Sequence, residues 1–230
     1  MHRPEDNRSV DRSKLARRSV LKWAGMAAVS AVAFGVDVPG LRLEKAFAQA
    51  GVDLGSGDIG VLNYAYALEQ LEAAFYTQVL ASPYRGGGRR EMSYLQQIRD
   101  HEVAHRNFLR KALGANAIPA LEPNFSAVDF GSRDSVLKTA STFEDLGVAA
   151  YNGGGAAIQN PQYLAAAGSI VSVEARHAAT LRTLYYGVGS AFAGPDIVDA
   201  NGLDQALLPS QVLPMAAPFI ATPVSASQLP

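Results

Sequence analysis

The sequence predicts an all-α protein built around a four-helix bundle, and three observations carry that reading. Four stretches of roughly twenty residues or more repeat apolar side chains at three- and four-residue spacing. Clusters of glycine and proline separate these stretches. The stretches also carry two kinds of acidic unit in strict alternation, a single Glu and then Glu-x-x-His, twice over.

The first stretch runs from Asp58 to Leu80, with Leu62, Ala65, Tyr66, Leu68, Leu71, Phe75, Val79 and Leu80 at helical spacing. Ser82-Pro83 and Gly86-Gly87-Gly88 end it. A second helix is expected from about Arg90 to Leu113, stopped by Gly114, a residue suited to a helix C-terminus. Residues 114–132 contain Pro119, Pro123 and Gly131 and read as a long crossover. Ser132 is placed to cap a third helix from about Arg133 to Asn152, ahead of Gly153-Gly154-Gly155. A fourth helix follows Asn160-Pro161 and reaches about Tyr186. Pro195, Pro209, Pro214, Pro218, Pro223 and Pro230 exclude long helices from the tail. The expected architecture is two helical hairpins joined by a long crossover over residues 51–190, with an irregular extension over 191–230 that packs on the bundle. No strand pattern appears.

With 230 residues, 48% of them hydrophobic, the chain can bury one substantial core. Its net charge of −1 conceals an uneven split: residues 1–50 hold nine Lys/Arg against five Asp/Glu, and residues 51–230 eleven against sixteen. An acidic body argues against nucleic acid as a partner, because phosphate binding needs a basic face. The absence of cysteine excludes disulfides, iron–sulfur clusters and thiolate zinc sites. Any metal must sit on Glu, Asp, His or Tyr.

Residues 1–50 read as an export signal. A basic start ends in Arg17-Arg18, an uncharged run spans Trp23 to Val36, and Ala46-Phe47-Ala48 and Ala48-Gln49-Ala50 are two candidate cleavage sites. The uncharged run is shorter than the about twenty residues that cross a bilayer. Arg17-Arg18-Ser19-Val20-Leu21-Lys22 resembles the twin-arginine signal, although Ala16 and Val20 depart from its commonest form. That resemblance implies export of a folded protein to the periplasm or cell exterior, touching the membrane only through the uncleaved signal.

The first and third helices share Glu-x-Leu-x-x-Ala-x-Tyr, as Glu69 to Tyr76 and Glu144 to Tyr151. Glu and Tyr, two turns apart, lie on one face together with the leucine stripe. The second and fourth share Glu102-Val103-Ala104-His105 and Glu174-Ala175-Arg176-His177. A spacing of i, i+3 puts each Glu beside its His. Glu72, on the edge of the stripe, reads as a surface residue and is left out of the set. Four carboxylates meeting in a core would repel one another, at several kcal/mol for each uncompensated ion. Two divalent cations remove that conflict, and two imidazoles complete the donors. Glu69, Glu102, His105, Glu144, Glu174 and His177 are therefore the expected ligands of a dinuclear centre. Oxygen and nitrogen donors suit iron or manganese, with zinc admitted by affinity. The repeat suggests Glu102 and Glu174 as bridges, with Glu69 and His105, and Glu144 and His177, at the two ends.

Leu-Glu-x-Leu-Glu-Ala-x-Phe-Tyr at 68–76, Glu-x-x-His-x-x-Phe-Leu-Arg at 102–110, Phe-Glu-Asp-x-Gly-Val-x-Ala-Tyr at 143–151 and Val-Glu-Ala-x-His-Ala at 173–178 carry a family resemblance. The chain resembles the ferritin-like superfamily, and in particular the exported ferritin-like domain proteins often labelled desiccation-related. The resemblance covers about residues 55–190, and the piece from Leu207 to Ile220 is similar to that subgroup as well. It implies that the six positions are metal ligands, as the matching positions are in bacterioferritin and rubrerythrin. It further implies that Tyr76 and Tyr151 lie near the metals as hydrogen-bond donors or radical relays. Relatives activate oxygen, reduce peroxide or store iron, so the fold alone selects no activity.

The expected function is a redox-active iron or manganese protein acting on dioxygen or peroxide in stress protection, as a monomer or homodimer. The rival is a non-catalytic envelope protein whose metals only tie the bundle together. The proline-spaced tail argues against a storage cage. Two other motifs spell different chemistry. Gly55-Ser56-Gly57-Asp58-Ile59-Gly60 spells a dinucleotide fingerprint but follows no strand, and reads as a lead-in with Asp58 capping the first helix. His101-Glu102-Val103-Ala104-His105 spells the zinc-protease His-Glu-x-x-His. The fourth helix has Val173 where that motif needs its first His, so the doubled unit leaves His101 outside the ligand set.

Overall fold

The computed structural model describes residues 51–187 and 192–230, so the expected export signal of residues 1–50 lies outside the described residues. Four long helices dominate: α1 Gly57–Ala81, α2 Arg89–Leu113, α3 Arg133–Gly155 and α4 Pro161–Tyr186. Helix α1 pairs with α2 and α3 with α4, and α1 packs across on α3. This is the all-α, two-hairpin bundle that the periodicity predicts. No helix among the described residues is long and apolar enough to cross a membrane.

The helix boundaries follow from local chemistry. The Ser132 hydroxyl accepts from the Ser135 amide at 3.3 Å and Asn160 Oδ1 from the Gln162 amide at 2.9 Å, each satisfying an amide that the first turn leaves without a partner. Gly114 ends α2 with φ +56°, a conformation that favours glycine. Asp58 does not cap α1, whose cap position is Ser56. Its carboxylate instead accepts from the backbone amides of Gln159 and Asn160, both at 2.8 Å. The α3–α4 connection passes this point, and its amides need acceptors there.

Helix α3 continues three residues beyond the expected end at Asn152, through all three glycines. Gly153 is small because the tail crosses it: a Cβ at 153 would collide with the Leu207 backbone, whose amide donates to Ala149 O at 2.9 Å. A glycine run that reads as a helix stop is here a place of close approach. Beyond that crossing lie the short helix α5 (Pro209–Ala216) and the strand β2 (Val224–Ser225), which pairs in parallel with β1 (Val52–Asp53). This two-residue ladder was not expected.

Two features fasten the outer segments. Arg182 on α4, 1% exposed, donates through Nη1 to Asp145 on α3 at 2.7 Å and through Nη2 to both oxygens of Asp196 at 2.8 and 2.7 Å. Phe75 meets Phe125 and Phe130 of the crossover, both at 5.7 Å, and Phe143 at 5.2 Å, while Phe143 meets Phe219 of the tail at 4.8 Å. A fully buried Phe contributes about 1.5–3 kcal/mol. This block closes the bundle beside Tyr76, whose ring stands 5.1 Å from that of Phe75.

Candidate metal centre

Each helix brings its share of one interior cluster: α1 Glu69, α2 Glu102 and His105, α3 Glu144, α4 Glu174 and His177. All four glutamates are 0% exposed and His177 5%. The six donors fall into two groups of four, each with ligand atoms within 4.8 Å of one another. One holds Glu69, Glu102, His105 and Glu174, and the other Glu102, Glu144, Glu174 and His177. Glu102 and Glu174 belong to both, the geometry a pair of bridging carboxylates requires.

His105 Nδ1 lies 2.9 Å from Glu174 Oε1, 3.4 Å from Glu102 Oε2 and 3.6 Å from Glu69 Oε2. Despite these distances it makes no directed hydrogen bond, so its nitrogen does not aim at any one oxygen. His177 Nδ1 lies 2.9 Å from Glu102 Oε1, 3.2 Å from Glu144 Oε2 and 3.7 Å from Glu174 Oε2. Both oxygens of Glu102, both of Glu174, and Glu69 Oε2 are buried without a hydrogen-bond partner. Buried polar atoms are ordinarily paired, and so many converging orphans make a place able to take cations. Oxygen and nitrogen donors without sulfur fit divalent iron, manganese or zinc.

The electrostatics agree. Burial, with the neighbouring Glu102 charge, pushes the Glu69 carboxyl well above the usual range, and burial does the same to Glu144 against the pull of His177. Burial also opposes charge on Glu174, but the His105 and His177 imidazoles close beside it outweigh that and hold the group down at about 2. Burial works against charging either histidine, yet the surrounding carboxylates lift both to about 12. Without cations, the cluster balances itself with protons on its imidazoles and on some of its carboxyls.

The tyrosines of the repeat reach across the bundle. Tyr76 on α1 donates to Glu144 Oε1 on α3, and Tyr151 on α3 to Glu69 Oε1 on α1, each at 2.6 Å. They therefore hold the two outer carboxylates. His101 is exposed and in neither group of four. Its Nδ1 lies 2.9 Å from His177 Nε2, with the two rings stacked, so it backs His177 from outside the cluster.

Glu72 overturns an expectation. It is 4% exposed and faces the interior, where burial and then the charges of Glu144 and Glu102 raise its carboxyl well above the usual range. The available signal was the repeat itself, which aligns Glu72 with Gly147 and so makes room for a second acidic side chain.

Fold and cluster together define a ferritin-like helical bundle with a buried glutamate–histidine site able to take metal ions. The family model described as Ferritin-like domain matches residues 57–187, more than half of the chain, and the chain belongs to that family. No curated protein matches the sequence.

Proposed function

We propose that the chain is an exported ferritin-like protein of the desiccation-related type that holds two iron or manganese ions and uses them to consume dioxygen or peroxide under stress. The observation that carries this reading is the set of unpartnered, buried oxygens on Glu102 and Glu174, shared between two groups of donors. Glu102 and Glu174 would bridge, with Glu69 and His105 at one ion and Glu144 and His177 at the other; zinc would fit the same donors. What an iron or manganese pair supplies when bound is electron transfer with a small oxidant.

The protein's own residues provide the rest. Tyr76 and Tyr151 fix the orientation of Glu144 and Glu69 through their hydroxyl hydrogens. The apolar side chains around the cluster exclude bulk water, which strengthens every charge interaction inside it. With His177 Nε2–H donating to His101 Nδ1, the tautomer that leaves the Nδ1 lone pair facing the carboxylates would be fixed. The expected twin-arginine signal suits a protein folded around its metals before export.

The test is consumption of peroxide or dioxygen, with a reductant, by protein loaded anaerobically with iron or manganese. Turnover that disappears in a folded Glu102→Ala, Glu174→Ala variant supports the reading. A loaded but inert wild type contradicts the redox role. It would favour metals that only stabilise the bundle, a second reading supported by the complete enclosure of all four glutamates.

A further inference from the structure

Glu72 is a fifth interior carboxylate that the six-residue set does not use. It lies one turn beyond Glu69 on α1 and lines a narrow crevice together with Leu68, Leu71, Phe143, Leu146, Gly147 and Ala216. Every other residue lining that crevice is apolar or glycine, so Glu72 is its one charged group. On the opposite wall, Gly147 holds the place in its repeat that Glu72 holds in the other. A Cβ at 147 would stand 3.2 Å from Glu72 Oε1 and 3.8 Å from Glu174 Oε2. The gap left by one absent methyl group thus adjoins both the crevice carboxylate and a carboxylate shared by the two donor groups.

Neither group of four includes Glu72. Packing alone gives no reason for an acid here, because an uncompensated buried carboxylate is destabilising and an apolar side chain would fill the same wall at less cost. A divalent cation that sheds its water to enter a narrow, apolar-walled crevice does need an anionic oxygen there. We propose that Glu72 is a transit ligand, taking divalent iron or manganese from the crevice and passing it to Glu174 through the gap beside Gly147. This inference rests on the two-metal reading of the centre.

The experiment mixes metal-free protein with Mn²⁺ and follows loss of the free-ion electron paramagnetic resonance signal. Wild type is expected to load about two ions per chain. Glu72→Gln should reach the same final content about tenfold more slowly, or worse. Glu72→Asp, which keeps a shorter carboxylate, should recover part of the rate, and Gly147→Ala should also slow loading. Glu72→Leu provides a second neutral variant of similar size and should load as slowly as Glu72→Gln. Uptake by both neutral variants at the wild-type rate overturns the transit role. A reduced final content at an unchanged initial rate also overturns it, since Glu72 would then be a resident ligand. If wild type binds no Mn²⁺, the two-metal reading itself fails, and the transit role with it.

Discussion

The Tyr151 hydroxyl on α3 donates a 2.6 Å hydrogen bond to Glu69 Oε1 on α1. Tyr76 makes the mirror contact from α1 to Glu144 on α3, so each repeat orients the outer carboxylate of the other. Tyr151→Phe leaves a buried carboxyl oxygen without its donor, and the expected loss of stability is about 1–3 kcal/mol. Tyr76→Phe should cost a similar amount, because the two environments match. Urea unfolding of the metal-free variants measures both, and a loss in one without the other would contradict the crossed arrangement.

The protons held by the metal-free cluster make stability depend on pH in a definite direction. His105 and His177, raised to about 12 when folded, are near about 6.5 when unfolded. Their contribution is complete below about pH 6.5 and is lost as pH rises towards about 12. Glu69, Glu72 and Glu144, raised by burial, act in the same direction from about pH 4.3 upward. Glu174, held at about 2, acts oppositely, but its contribution is lost only as pH falls below about 4.3. The melting temperature of metal-free protein should therefore fall between about pH 6 and about pH 9. Metal-loaded protein should not show this fall, since cations displace those protons and bind better as pH rises. Thermal unfolding of both forms at the two pH values checks it.

Two helical glycines should respond oppositely to alanine. Exposed Gly168 has nothing within 4 Å of where a Cβ would stand, so Gly168→Ala should stabilise by about 0.5–1 kcal/mol through helix propensity. Gly153 lies under the Leu207 backbone, and Gly153→Ala should cost at least about 1–3 kcal/mol by overpacking. Thermal melts compare them directly, and limited proteolysis of Gly153→Ala should cut the loosened tail.

Arg182 is the charge that joins α4 to α3 and to the tail. Arg182→Met leaves the carboxylates of Asp145 and Asp196 without the guanidinium they share. Asp145 and Asp196 are partly exposed, at 22% and 35%, so the cost falls below that of a fully buried pair, to about 1–3 kcal/mol. Denaturant unfolding should show a loss of that order.

The helices, the hairpin pairing and the six converging residues were legible because periodicity and an internal repeat each report on geometry that a single helix face determines. Glu72 was not legible from periodicity. Helix α1 is buried on nearly every side, from Gly60 to Val79, and a helix enclosed all round loses the polar face against which an inward acid would stand out. The crossing at Gly153 and the role of Asp58 depend on Leu207, Gln159 and Asn160, partners far along the chain that no local pattern specifies. His101 stands apart from the doubled Glu-x-x-His unit in the sequence, but its stacking on His177 depends on how α2 and α4 meet.

Anomalous scattering from crystals grown with Mn²⁺ tests the central claim most directly. Two peaks are expected, one within reach of Glu69 and His105, the other of Glu144 and His177, with Glu102 and Glu174 contacting both. A cluster with no manganese, or a single ion held by His101 and His105, would contradict it.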